Sequence, residues 1–81
     1  MEIRNRITGS IIATFAGDSL AGADLTDMNL EHADLRGAHL NRANLSGADL
    51  SGVELFLVTL DYAQLSGARN AVIPPTKTGW R

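Results

Sequence analysis

A leucine returns at every fifth residue through ADLRGAHLNRANLSGADLSG, residues 33–52, with an alanine two places before each. No regular element accommodates that period. A helix advances about 100° per residue, so leucines five apart drift around its axis; a strand alternates every second residue, so an odd spacing throws them onto opposite faces. Cutting the chain every five residues from Ala13 yields ATFAG, DSLAG, ADLTD, MNLEH, ADLRG, AHLNR, ANLSG, ADLSG, VELFL, VTLDY and AQLSG, eleven units without gap or insertion. The third position is Phe15 and then leucine from Leu20 to Leu65, and the first is small or apolar except at Asp18. A period this strict predicts a stacked architecture, in which no unit buries itself and each relies on its neighbours.

The geometry follows if each unit forms one side of a square coil, with its first and third residues pointing inward. Four units close a coil of twenty residues, and side chains twenty apart stack. The expected ladders are Phe15, Leu35, Leu55; Leu20, Leu40, Leu60; Leu25, Leu45, Leu65; and Leu30, Leu50, with Ala33, Val53 and Ile73 along one corner. Stacked coils satisfy each other's backbone groups at the strand spacing of about 4.8 Å. Gly17, Gly22, Gly37, Gly47, Gly52 and Gly67 all fall at fifth positions, where the chain must turn.

The units ADLTD, ADLRG, ANLSG and ADLSG resemble the A(D/N)LXX motif of the pentapeptide-repeat family, and the resemblance covers residues 13–67. It implies an all-β fold, a right-handed quadrilateral β-helix. Fifty-five residues make about 2.75 coils, roughly 13 Å of rod. The chain is read as an N-terminal hairpin or cap strand leading into the first coil (1–12), the repeat β-helix (13–69) and a C-terminal tail (70–81).

Thr8-Gly9, between EIRNRI and SIIATF, predicts a short hairpin covering the first coil. Ile3, Ile7, Ile11 and Ile12 would supply its apolar contacts, and Asp18, at that junction, would cap backbone amides. At the other end Asn70 stands where the Leu30, Leu50 ladder demands a leucine, and Pro74-Pro75 forbids regular continuation. The tail either folds over the last coil, anchored by Trp80, or leaves that end to a second subunit.

Charge divides along the chain. Residues 13–67 hold eight acids against Arg36 and Arg42, a net −6, while residues 1–12 carry +1 and residues 68–81 carry +3. An acidic body disfavours direct nucleic-acid binding. The absence of cysteine excludes disulfides and thiolate metal sites. The start of the chain lacks an apolar leader segment, and no run approaches the length of a membrane span, so the expected setting is soluble and cytoplasmic.

Chemistry is sparse. Asp34 and Glu54 share an outward column about one strand spacing apart, but a convex wall offers no pocket that excludes water, and the column reads as a solvated acidic surface together with Asp24 and Asp49. His32 and His39 lie on different sides of the coil, and no metal or other cofactor is expected. No catalytic motif occurs, so the chain is read as non-enzymatic. The outward surface changes character at VELFLVTLDY, where Phe56, Leu57 and Tyr62 replace polar groups. The columns set Phe56 above Arg36, Tyr62 above Arg42 and Leu57 above Gly37, so that each aromatic ring can lie on a guanidinium. This patch reads either as a contact site for a partner or a second copy, or as a floor for Val72, Ile73 and Trp80 of the tail.

The function expected is a protein-interaction or assembly module, acting through the Phe56, Leu57, Tyr62 face, with Arg36, Arg42 and Trp80, or through the C-terminal end. The family resemblance alone implies an alternative: some pentapeptide-repeat proteins imitate the charge and width of duplex DNA and bind type II topoisomerases such as gyrase, conferring quinolone resistance. The acidic body agrees with this in sign, and the short rod argues against it.

Overall fold

The computed structural model describes residues 1–53, 55 and 58–71. They contain strands, isolated bridges and turns, and no helix. Two strands open the chain, β1 (Glu2–Arg4) and β2 (Ile11–Thr14), paired antiparallel with Glu2 opposite Thr14, Ile3 opposite Ala13 and Arg4 opposite Ile11. The connecting turn is held by Asn5, whose carbonyl accepts from Gly9 N–H at 2.8 Å and whose Oδ1 accepts from Ile7 N–H at 2.8 Å and Thr8 N–H at 3.1 Å.

Beyond the hairpin the chain returns over itself every twenty residues. Parallel bridges join Asp24 to Asn44, Asn29 to Asp49, His39 to Thr59, Asn44 to Gln64 and Asp49 to Arg69. Each bridge falls at the second residue of a unit, as stacked five-residue sides require. The corners explain the period. From Ala23 to Ala68, the N–H of each first-position residue donates to the C=O of the preceding unit's leucine, at 2.9–3.3 Å. That bond closes a four-residue turn whose third member is the fifth residue of the unit, and every described fifth position has φ between 57° and 84°. A positive φ there, with none at the fourth position, is the requirement of a type II turn, which favours glycine. A three-residue side and a two-residue corner make five.

The core is the set of ladders. Leu20, Leu25, Leu30, Leu35, Leu40, Leu45, Leu50, Leu55, Leu60 and Leu65 are all buried, with Ala33, Ala38, Ala43, Ala48, Val53, Val58 and Ala63 filling the corners. Each enclosed leucine is worth about 1.5–3 kcal/mol of transfer free energy. Among the described residues no polar or charged residue is buried.

The first coil departs from the expected ladder. Phe15 is only half-buried, and Ile3, from β1, is fully enclosed. The cause is strand order. Asn5 bridges antiparallel to Ala33, Arg6 N–H donates to His32 C=O at 2.8 Å, and Asp34 N–H donates to Arg4 C=O at 2.7 Å. β1 therefore lies between β2 and residues 32–34, taking the backbone groups that unit 13–17 would have used. The hairpin enters the wall of the first coil instead of merely covering it, and bonding between coils begins with Gly22 N–H to Asn41 C=O at 2.9 Å.

Two further expectations at this end are corrected. Ile7 and Ile11 are exposed, 63% and 50%: Ile7 lies in the connecting turn, and Ile11 pairs with the exposed Arg4 beyond the irregularity in register that follows Ile3. Asp18 is exposed and caps nothing among the described residues. At the far end Asn70 turns outward with φ 58° and its Nδ2 donates to Ser51 Oγ at 2.8 Å, so the Leu30, Leu50 ladder has no third member. The expectations for Glu54, Phe56, Leu57, Val72, Ile73 and Trp80 lie outside the described residues. No helix among the described residues is long and apolar enough to cross a membrane.

Candidate interaction face

The outward side chains come from the second, fourth and fifth residues of each unit, and the second position is the most regular. Its oxygen turns back to the backbone two residues on: Asp24 Oδ1 accepts from Thr26 N–H at 3.1 Å, Asn29 from Glu31 at 3.1 Å, Asn44 from Ser46 at 3.0 Å, and Asp49 from Ser51 at 3.0 Å. Short aspartate and asparagine side chains make this closure readily. Hydroxyls add to it at 2.6 Å from Thr26 to Asp24 and from Ser51 to Asp49.

The same bonds hold these carboxyls below the ordinary carboxylate range. The hydroxyl and N–H of Thr26 lower the Asp24 pKa, and those of Ser51 lower that of Asp49. For Asp34 the chief cause is the side chain of Arg36, which donates from Nε and Nη2 to both carboxylate oxygens at 3.0 Å, assisted by the Arg36 N–H. Asp24, Asp34 and Asp49 are thus corner braces that also present negative charge. Asp34 is engaged by Arg36, a poor setting for a proton donor, since general acids require a raised pKa near the working pH.

The fifth position carries the contacts between coils. Asp27, His32, Arg42 and Tyr62 hold left-handed backbone without being glycine, at φ 57°, 58°, 61° and 61°. Asp27 and His32 lie over the glycine twenty residues on: a Cβ at Gly47 would sit 2.1 Å from Asp27 Oδ1, and one at Gly52 would sit 2.3 Å from His32 Nδ1. Arg42 instead meets a ring. Its Cζ stands 5.6 Å from the centroid of Tyr62, as the column Gly22, Arg42, Tyr62 predicts.

Arg42 and Tyr62 occupy the side built from residues 38–42 and 58–62, locked by Arg42 N–H to Asp61 C=O at 2.9 Å and by the His39–Thr59 bridge, where His39 Nδ1 and Thr59 Oγ1 are 3.2 Å apart. Tyr62 is 59% exposed, so a flat aromatic surface backed by a cation faces solvent on a rigid wall. Arg36 belongs to the neighbouring side with Asp34, apart from this pair. An open hollow of about 350 Å³ lies elsewhere, between the hairpin and residues 29–32, lined by Asn5, Ile12, Asn29, Glu31 and His32. His32 Nε2 is 3.5 Å from Glu31 Oε1 at its rim.

Sequence reasoning missed two features here. The bracing role of the second position was legible in the recurrence of Asp, Asn and Ser two residues before a turn amide. The draping of Asp27 and His32 over Gly47 and Gly52 was legible in the twenty-residue spacing of a side chain and a glycine.

The family model for pentapeptide repeats matches residues 19–55, in eight copies, over the stretch where bonding between coils begins and the ladders run. No curated protein matches the chain.

Proposed function

We propose that this chain, whose residues 19–55 match the pentapeptide-repeat family, is a non-catalytic protein-interaction module: a short, acidic, right-handed quadrilateral β-helix of about 2.75 coils that binds a protein partner, or a second copy, through the side bearing Arg42 and Tyr62. The observation that supports this reading is the exposed Tyr62 ring held against the Arg42 guanidinium. Tyrosine and arginine are the side chains most often found to dominate protein contacts. Here both are fixed by a backbone that repeats beneath them, so little conformational freedom is lost on binding.

The test is affinity capture from an extract of the source cells, with sedimentation of the purified chain, for wild type, Tyr62→Asp and Arg42→Glu. The reading expects a captured protein or a self-associated species that both variants lose while their circular dichroism is unchanged. A monomer whose variants retain every partner refutes it.

A second reading, binding of a type II topoisomerase as a DNA mimic, draws support from the outward second-position carboxyls of Asp24, Asp34 and Asp49, each with its pKa lowered by the groups that bond to it. A gyrase supercoiling assay decides it. Inhibition or protection that falls with salt is expected, and no effect at high protein concentration removes the idea.

A further inference from the structure

The last coil is closed on a side where no described residue stands. Leu55, Leu60 and Leu65 face its centre, with Val58 and Ala63 at its corners; in the single chain Leu55, Leu60, Val58 and Ala63 are fully enclosed and Leu65 is 8% exposed. Each rests on the residue twenty before it, Leu35, Leu40, Leu45, Ala38 and Ala43, which covers one side only. The described chain beyond them, residues 66–71, completes the same coil, as the bridge from Asp49 to Arg69 shows. Positions 54, 56 and 57 are outward ones by the period. A ladder that ended in water would leave its last leucines part-exposed.

The same end carries an open backbone edge. In the coil beneath, third- and fifth-position N–H groups donate to the next coil, Leu40 to Thr59, Arg42 to Asp61, Leu45 to Gln64 and Gly47 to Ser66. Leu60, Tyr62, Leu65 and Gly67 hold the corresponding donors of the last coil, and no backbone bond takes them among the described residues. Proteins normally cover or pair such an edge.

We propose that residues 72–81 fold back over this end as an intramolecular cap, seated by Ile73 and Trp80 on the leucines of the last coil. The described chain reaches Ala71 still packed against the core, so the segment begins at the rim of the surface it covers. Ten residues span at most about 33 Å, beyond the 31 Å longest dimension of the molecule. Val72, Ile73 and Trp80 supply apolar area, and Pro74 and Pro75 bring no backbone N–H that would need a partner over an apolar floor. Lys77 and Arg81 give the segment +2 with no acid, against a body of net −6 whose last coil exposes Asp61. A second copy set end to end would instead bring two such bodies together, and it lacks the effective concentration that a tether provides. The cap closes the end of the rod to stacking and leaves association to its sides. It does not depend on the reading of Arg42 and Tyr62.

Trp80 is the sole tryptophan, so its fluorescence reports on the cap in the full chain. In the folded protein its emission is expected at shorter wavelength than in urea, with protection from acrylamide quenching, and neither should change with protein concentration. Nuclear Overhauser contacts should join its ring to methyl groups of Leu55, Leu60 or Leu65. Ile73→Asp should shift the emission back toward the urea value and remove the protection, with the circular dichroism of the coils retained. A Trp80 as open to quencher in the folded chain as in urea overturns the proposal. Protection that grows with concentration assigns the end to a second copy and overturns it too. So do ring contacts confined to residues outside the last coil, or a folded Ile73→Asp chain in which Trp80 stays protected.

Discussion

At the scale of single residues, each outward position has its own physical task. Asn44 is half-buried and its Oδ1 satisfies the N–H of Ser46. Asn44→Ala should cost about 1 kcal/mol, the worth of one such bond, read as a lowered thermal midpoint, while Asn44→Asp should be nearly neutral because its carboxylate accepts the same bond. The glycines at fifth positions separate strain from collision. Gly37→Ala meets open space and suffers only the positive φ of 72°, about 1 kcal/mol. Gly47→Ala adds a collision with Asp27 and should cost more. Combining Gly47→Ala with Asp27→Gly should return the loss to that of Gly37→Ala, measured by urea denaturation.

Acid stability follows from the same braces. Asp24, Asp34 and Asp49 have carboxyl pKa values lowered in the folded chain. Their contribution is therefore complete above the unfolded value of about 3.9 and is lost as pH falls through the lower folded values. Thermal midpoints should be flat above about pH 5 and drop below about pH 4, and Asp→Asn at all three positions should flatten that drop. A midpoint that rises on acidification would contradict the assigned cause.

At the scale of elements, the hairpin and the coils depend on each other. Ile3 is fully enclosed although it comes from β1, and Ile11, its near neighbour across the pair, is half exposed. Ile3→Ala should cost about 2–5 kcal/mol, comparable with Leu45→Ala in the ladders, whereas Ile11→Ala should change stability little. Hydrogen exchange adds a distinguishing readout. Because β1 pairs with residues 32–34, Ile3→Ala should speed exchange at Asp34 N–H and Arg6 N–H before that at Leu45 N–H, which bonds to Gln64 C=O.

At the scale of the whole molecule, the repeat makes a wall on which function must be added at particular places. One side carries Arg42 and Tyr62, and the remaining outward positions among the described residues are mostly braces or glycine corners. A Tyr62→Asp chain should accordingly lose its partner while keeping its fold, as read by sedimentation with and without that partner and by circular dichroism.

Much of this was legible in the residues because the repeat is local. A five-residue period, a leucine at its centre and a glycine at its end suffice to specify a side and a corner, and stacking then follows from the need to pair backbone groups at the next coil. The ladders from Leu20 to Leu65 and the meeting of Arg42 with Tyr62 follow from arithmetic on that period. The N-terminal hairpin was legible too, in Thr8-Gly9 between two apolar runs. What the residues alone did not determine is where that hairpin goes. Competition between β1 and unit 13–17 for the backbone groups of residues 32–34 is a non-local choice, decided by how well Ile3 rather than Phe15 fills the end of the core, and no pattern in the first fifteen residues records it. That tertiary decision buries Ile3, leaves Phe15 at the margin and exposes Ile11.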